Sequence, residues 1–216
     1  MVVATISAER RAALHRRALW LEYVTVCWNV VEAVVAIGAG VIAGSVALMG
    51  FGADSAIEVI SAVGLLWRLR KAGPHAAVSD ESAVEKRALY VVAITFFLLA
   101  VYITWEAVNS LISREQPLTS PVGIILAVLS LAVMPTLAFA KQRVGKEMGS
   151  RALVADSKET WICSYLSLTL LLGVGAYAVV GWWWADPVGA LAMLPIIIWQ
   201  SWETLAEARE PADHDD

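Results

Sequence analysis

Charge is scarce in this chain. Only 17% of its 216 residues are Asp, Glu, Lys or Arg, whereas 59% are hydrophobic and ten are Trp. A soluble domain is nearer 45–50% apolar and 25% charged, so the composition excludes an ordinary water-soluble globule and points to an integral membrane protein. Cysteine is scarcer still. Cys27 and Cys163 both fall inside apolar runs, which excludes a disulfide framework. The basic residues sit between apolar runs with no interleaved aromatics, so no nucleic-acid partner is expected. The segment from Met1 to Arg17 is weakly amphipathic and ends in HRR. It lacks a small-residue cleavage site, so the first apolar segment is expected to be retained. No catalytic triad, nucleotide-binding loop or redox motif is present, and no enzyme is expected.

What is there is length of apolar sequence. Stretches of about 20 apolar residues match a bilayer core, and six are expected, at about 18–42, 45–67, 88–112, 120–140, 151–180 and 187–207. In lipid the backbone must satisfy its own hydrogen bonds, so the expected fold is all-α, a polytopic bundle of six transmembrane helices in one domain over 1–210 with a short acidic tail, 211–216. Arg10, Arg11, Arg16 and Arg17 precede span one. Arg68, Arg70, Lys71, Lys86 and Arg87 flank the second connection, and Lys141, Arg143, Lys146 and Arg151 flank the fourth. The first and fifth connections carry no Lys or Arg, and the third only Arg114. Positive loops stay in the cytoplasm, which places both termini there, in a multi-pass protein of the bacterial inner membrane. GWWWADP, at the outer end of span five, suits an interfacial aromatic belt. Pro135 and Pro195 lie within spans four and six and are expected to kink them.

Against this apolar background, GSVALMGFGADSAIE (44–58) places Asp54 and Glu58 four residues apart, on one helix face and deep in span two. A charge at mid-bilayer costs about 2.5–3.5 kcal/mol. Two like charges would also repel, so the pair makes sense with a cation or proton between them. The pattern then recurs. In GSRALVADSKETWIC (149–163), Gly-Ser and Ala-Leu fall at the same offsets, and the positions of Asp54 and Glu58 are taken by Glu159 and Cys163. Two helices with two donors each can enclose one ion, and carboxylate with thiolate suits a tetrahedral divalent metal such as zinc. Glu32, mid-span one and three residues after Asn29, is a further intramembrane candidate, as a ligand or proton carrier. Lys158 is expected to snorkel or to pair with Asp156, Glu22 and Glu106 to be solvated near span ends, Cys27 to serve packing, and His75 and the tail's His214 to face solvent.

At these residues the chain resembles the cation diffusion facilitator family of divalent-metal transporters. That family carries a Gly-Ser-x-Ala-Leu signature with two spaced ligands on its second and fifth helices, and a sixth helix that opens on Asp-Pro and ends on a Trp-Glu pair, as WADPVGALAMLPIIIWQSWETLAEA (184–208) does here. The resemblance implies a four-ligand metal site on Asp54, Glu58, Glu159 and Cys163, with Asn29, Glu32 and Asp156 as auxiliary residues. Asp156 keeps the family's Ala-Asp, and Phe51 replaces it on the second helix. It implies a short form, since members usually continue into a cytoplasmic ferredoxin-like domain and EAREPADHDD closes this sequence. It implies a homodimer as well.

The expected function is efflux of a divalent cation, zinc first, by metal/proton antiport and alternating access. The cation is cargo; no bound cofactor is expected, and the partners are the lipid bilayer, the cation and protons. Manganese, cobalt, iron or cadmium as cargo, and a metal-binding sensor or partner subunit that does not transport, are the competing readings.

Overall fold

The computed structural model describes residues 8–72, 83–114 and 117–209. His75, His214 and the acidic tail lie outside the described residues. Six helices follow in order: α1 (Ala8–Ala43), α2 (Val46–Ala72), α3 (Ala83–Ser113), α4 (Pro121–Met148), α5 (Arg151–Val180) and α6 (Ala185–Arg209). Each contains a stretch of at least 22 residues long and apolar enough to cross a bilayer. Two run furthest past the expected spans. α1 begins ten residues earlier, at Ala8, and α4 continues to Met148. Both extensions carry charged residues, so hydropathy alone cuts them short. The helices pass through Pro135 and Pro195 without a break.

The bundle is turned inside out relative to a soluble protein. Trp20, Val34, Val41, Trp105 and Val179 face outward, while Glu22, Asn29, Glu32, Lys141 and Thr160 have no exposed surface. Only an apolar solvent stabilises that distribution, because buried charges need internal partners and water would reject the outer face. Cys27 is among the outward residues, contrary to the packing role expected of it.

The sequence repeat reappears as a repeated hairpin. α1 and α2 meet at Gly44 (φ +66°) and Ser45; α4 and α5 meet at Gly149 (φ +69°) and Ser150. In each, glycine takes the left-handed conformation that ends a helix. The next serine caps the following helix, accepting from the N–H of Leu48 at 3.1 Å and of Leu153 at 3.3 Å. Its own N–H donates back to the carbonyl of Gly40 (3.0 Å) or Gly145 (2.9 Å). A Cβ at Gly40 would lie 2.9 Å from the backbone nitrogen of Met49, and one at Gly145 3.1 Å from that of Val154. The repeat therefore extends four residues upstream of the Gly-Ser pair, to a glycine that lets the two helices touch. α1 with α2, α4 with α5, and α3 with α6 form the closest packed pairs; α2 also meets α3, α5 and α6 and is the most buried helix.

The two hairpins turn at opposite ends. Arg10 of α1 pairs with Glu147 near the end of α4 (3.2 Å), and Arg70 of α2 stacks over Tyr23 of α1. These contacts gather basic residues at the end where α4 turns into α5. The opposite end holds the Gly44–Ser45 turn and the stacked pair Trp182 and Trp184, 5.1 Å between ring centres. There Asp186, the Asp of the Asp-Pro opening of α6, accepts from Ser45 Oγ (2.5 Å) and from the backbone N–H of Val46 (2.9 Å). A carboxylate at a helix N-terminus satisfies an otherwise orphaned donor and opposes the helix dipole. Asp186→Ala is expected to cost about 1–2 kcal/mol, seen as a lower midpoint of thermal unfolding in detergent, with little change for the neighbouring exposed Trp184→Phe.

Candidate metal centre

Asp54 lies ten residues beyond Gly44, about 15 Å along α2, and Cys163 fourteen beyond Gly149, about 21 Å along α5. Because the hairpins turn at opposite ends, both positions arrive near the middle of the bundle. A ligand atom from each of Asp54, Glu58 and Cys163 lies within 4.8 Å of the other two. All three side chains are buried, with exposures of 3%, 5% and 1%. Asp54 and Glu58 reach this point because α2 places i and i+4 on one face, and that face meets α5.

Glu159 stands apart from this group. Its carboxylate accepts from Ser61 Oγ at 3.0 Å and is only half-buried. The position of Glu159 on α5 equals that of Asp54 on α2, yet the side chain that turns toward Glu58 is its neighbour Thr160, whose hydroxyl donates at 3.2 Å. From α1, Glu32 approaches: its Oε2 is 4.0 Å from Cys163 Sγ and 3.5 Å from Ser55 Oγ. Asn29, one turn earlier, lies beside Glu58.

The hydrogen-bond accounts of this region do not close. Both amide atoms of Asn29, Oε1 of Glu32 and Oδ1 of Asp54 are buried without a partner. A buried polar atom left unpaired costs about 1–3 kcal/mol, and native interiors contain few. Three of these four atoms are acceptor oxygens beside a group of acids and a thiol, a setting that positive charge would complete. Carboxylate oxygens and sulfur can acquire that charge by holding a divalent cation.

A second polar cluster adjoins the first and was not legible in the sequence. Lys141 of α4 is completely buried, bonded to Asp156 of α5 and 3.4 Å from Glu22 of α1. Its Nζ also lies 3.4 Å from Thr160 Oγ1, the hydroxyl that donates to Glu58. Two expectations are corrected here. Glu22 is not a solvated residue near a span end but an internal ion-pair partner. Lys141 is not part of the basic flank of a loop. Asp156 takes Lys141 as its partner, and Lys158 is exposed, in keeping with the first of the two outcomes expected for it. Burial selects this outcome, since two internal acids need a cation and, among the described residues, Lys141 is the Lys or Arg that is buried.

The model of the cation efflux transmembrane domain family matches residues 82–210. The chain belongs to the cation efflux family. Relatives include the uncharacterized transporter sll1263 of Synechocystis, 29% identical over 174 residues, covering 79% of this chain and 56% of that protein. Transmembrane protein 163 of Xenopus laevis is 26% identical over 162 residues (75% and 56%). The magnetosome protein MamB of Magnetospira is 26% identical over 164 residues (71% and 53%). The chain thus spans about half the length of these curated relatives. The family match covers α3 to α6, including Cys163 and Asp156, while Asp54 and Glu58 lie on the first hairpin, outside it.

Proposed function

We infer that this cation efflux protein carries a divalent metal ion across the bilayer, outward from the cytoplasm, in exchange for protons. One observation carries the reading: two carboxylates and a thiol from two helices converge in the bundle's middle, beside buried polar atoms that have no partner. The cargo sheds water and takes Asp54, Glu58 and Cys163 in its place. Zinc is the first choice, because its borderline softness suits a mixed oxygen and sulfur set. Ligands must be deprotonated to bind metal, so acid on the far side displaces the ion and protons ride back on the same groups. The end of the bundle where α4 turns into α5 is the mouth of the site. With basic loops inside, that mouth faces the cytoplasm.

Proteoliposomes loaded with a zinc-sensitive dye and given a pH gradient test this. Zinc movement coupled to dissipation of the gradient is expected for the native chain, falling at least tenfold in Asp54→Ala, in line with the loss when a site's bonding partner is removed. Saturable zinc binding with no flux would mark a sensor instead of a carrier. Flux unchanged by Asp54→Ala would remove the site.

A further inference from the structure

Three donors are one short of the four that a tetrahedral divalent ion takes. Position by position, the repeat nominates Glu159, the counterpart of Asp54, as the fourth. The geometry points elsewhere: we propose that Glu32 of α1 is the fourth ligand, so that three helices hold the ion. The assignment rests on the reading of Asp54, Glu58 and Cys163 as a metal site and specifies what completes it.

Glu159 already has a partner, the Ser61 hydroxyl at 3.0 Å, and retains contact with the outside. Glu32 has neither. It is wholly buried, its Oε1 has no hydrogen-bond partner, and its Oε2 meets Ser55 at the outer limit of bonding, 3.5 Å. Its approach to Cys163 Sγ at 4.0 Å is a contact between two ligand-type atoms from different helices. A carboxylate buried in an apolar bundle with a free oxygen is costly unless a cation or a proton completes it. Asp54 of the three-donor group also has a buried oxygen without a partner, and Glu32 stands just outside that group, touching it through Cys163. At 4.0 Å, the Glu32 oxygen and the Cys163 sulfur are near enough for one ion to touch both, given zinc bonds of about 2.3 Å to sulfur and about 2.0–2.2 Å to oxygen.

This differs from a two-helix site in what it does to the ion. Three carboxylates and one thiolate give the loaded site a formal charge of −2 with a divalent cation, which favours strongly held ions and raises the number of protons needed to empty it. It also makes α1, not only α2 and α5, responsive to loading.

Cobalt provides the test, because its visible absorption is intense in four-coordinate sites and weak in six-coordinate ones, and a thiolate ligand adds a charge-transfer band. Native protein in detergent, titrated with cobalt, is expected to show both signatures. Glu32→Gln should lower cobalt affinity at least tenfold, the scale on which even residues supporting a ligand act, and collapse the visible bands. Glu159→Gln should keep the bands and change affinity less than threefold. Glu32→His replaces oxygen with nitrogen and should keep four-coordinate absorption with shifted bands, which covers the case in which Glu32→Gln does not fold. The assignment is overturned if Glu32→Gln or Glu32→His gives the native spectrum and affinity, or if Glu159→Gln is the variant that loses the bands. Failure of the underlying site looks different: Asp54→Ala and Cys163→Ala would then bind cobalt as the native chain does.

Discussion

Replacing Lys141 with alanine is expected to cost about 3–5 kcal/mol, a shift of roughly a hundredfold to several thousandfold away from the folded state. No other substitution at a position outside the metal centre should be as damaging. The ammonium has no exposed surface and stands between Asp156 and Glu22, with Thr160 as a further neighbour. Alanine removes the cation that Asp156 and Glu22 share and leaves two carboxylates facing each other in a low-dielectric interior. The measurement is the monodisperse fraction and thermal midpoint after detergent extraction. Lys158→Ala, at an exposed position one helix away, is the matched control and should change neither. The cause is separable from lost packing. A triple variant, Lys141→Met with Glu22→Gln and Asp156→Asn, removes all three charges and should recover most of the stability, because uncharged isosteres of a buried ion cluster are often as stable as the cluster. If the triple variant is as unstable as Lys141→Ala, the charges are not what holds these helices.

Cys163→Asp is expected to lower the ratio of cadmium to manganese affinity by on the order of a hundredfold, from the loss of the one soft donor in the group. The thiol lies within 4.8 Å of ligand oxygens of Asp54 and Glu58 and is 1% exposed. Aspartate keeps the negative charge and offers oxygen, which suits manganese and penalises cadmium. Competition titrations of the two ions against a fluorescent chelator read the ratio directly. Cysteine on the surface offers the internal comparison. Cys27 faces outward, and Cys27→Ser should leave the ratio unchanged. A ratio that does not move in Cys163→Asp would place the thiol outside the ion's coordination.

Much of this architecture was readable from the chain. Six spans follow from apolar runs, and the paired Gly-Ser signatures announce two equivalent turns before any coordinates are seen. The donors Asp54, Glu58 and Cys163 follow from four-residue spacing on those helices. What escaped was the rotation of side chains about α5. Glu159 and Thr160 are adjacent, about 100° apart around the helix, and periodicity does not say which of them turns toward α2. Thr160 does. The Lys141 cluster escaped for another reason: a lysine beside a basic loop reads as part of it. A signal was available nonetheless. In a tight helical hairpin, residues equally far from the turn face each other, and Lys141 stands eight before Gly149 while Asp156 stands seven after. The equivalent positions in the first hairpin are Ala36 and Phe51, an apolar pair, so the repeat places an ion bridge where its twin places hydrocarbon.

The close glycine contacts at Gly40 and Gly145 have a mechanical consequence. Each hairpin is seamed at close range, so α1 with α2 packs as one plate and α4 with α5 as another. Asp54, Glu58 and Glu32 ride on the first plate and Cys163 on the second, with the Lys141 bridge to Glu22 spanning the same seam nearer the basic end. On the proposed reading, an ion seated among these donors would rivet the two plates at mid-thickness, and the Lys141–Glu22 bridge fastens them a second time nearer the basic end.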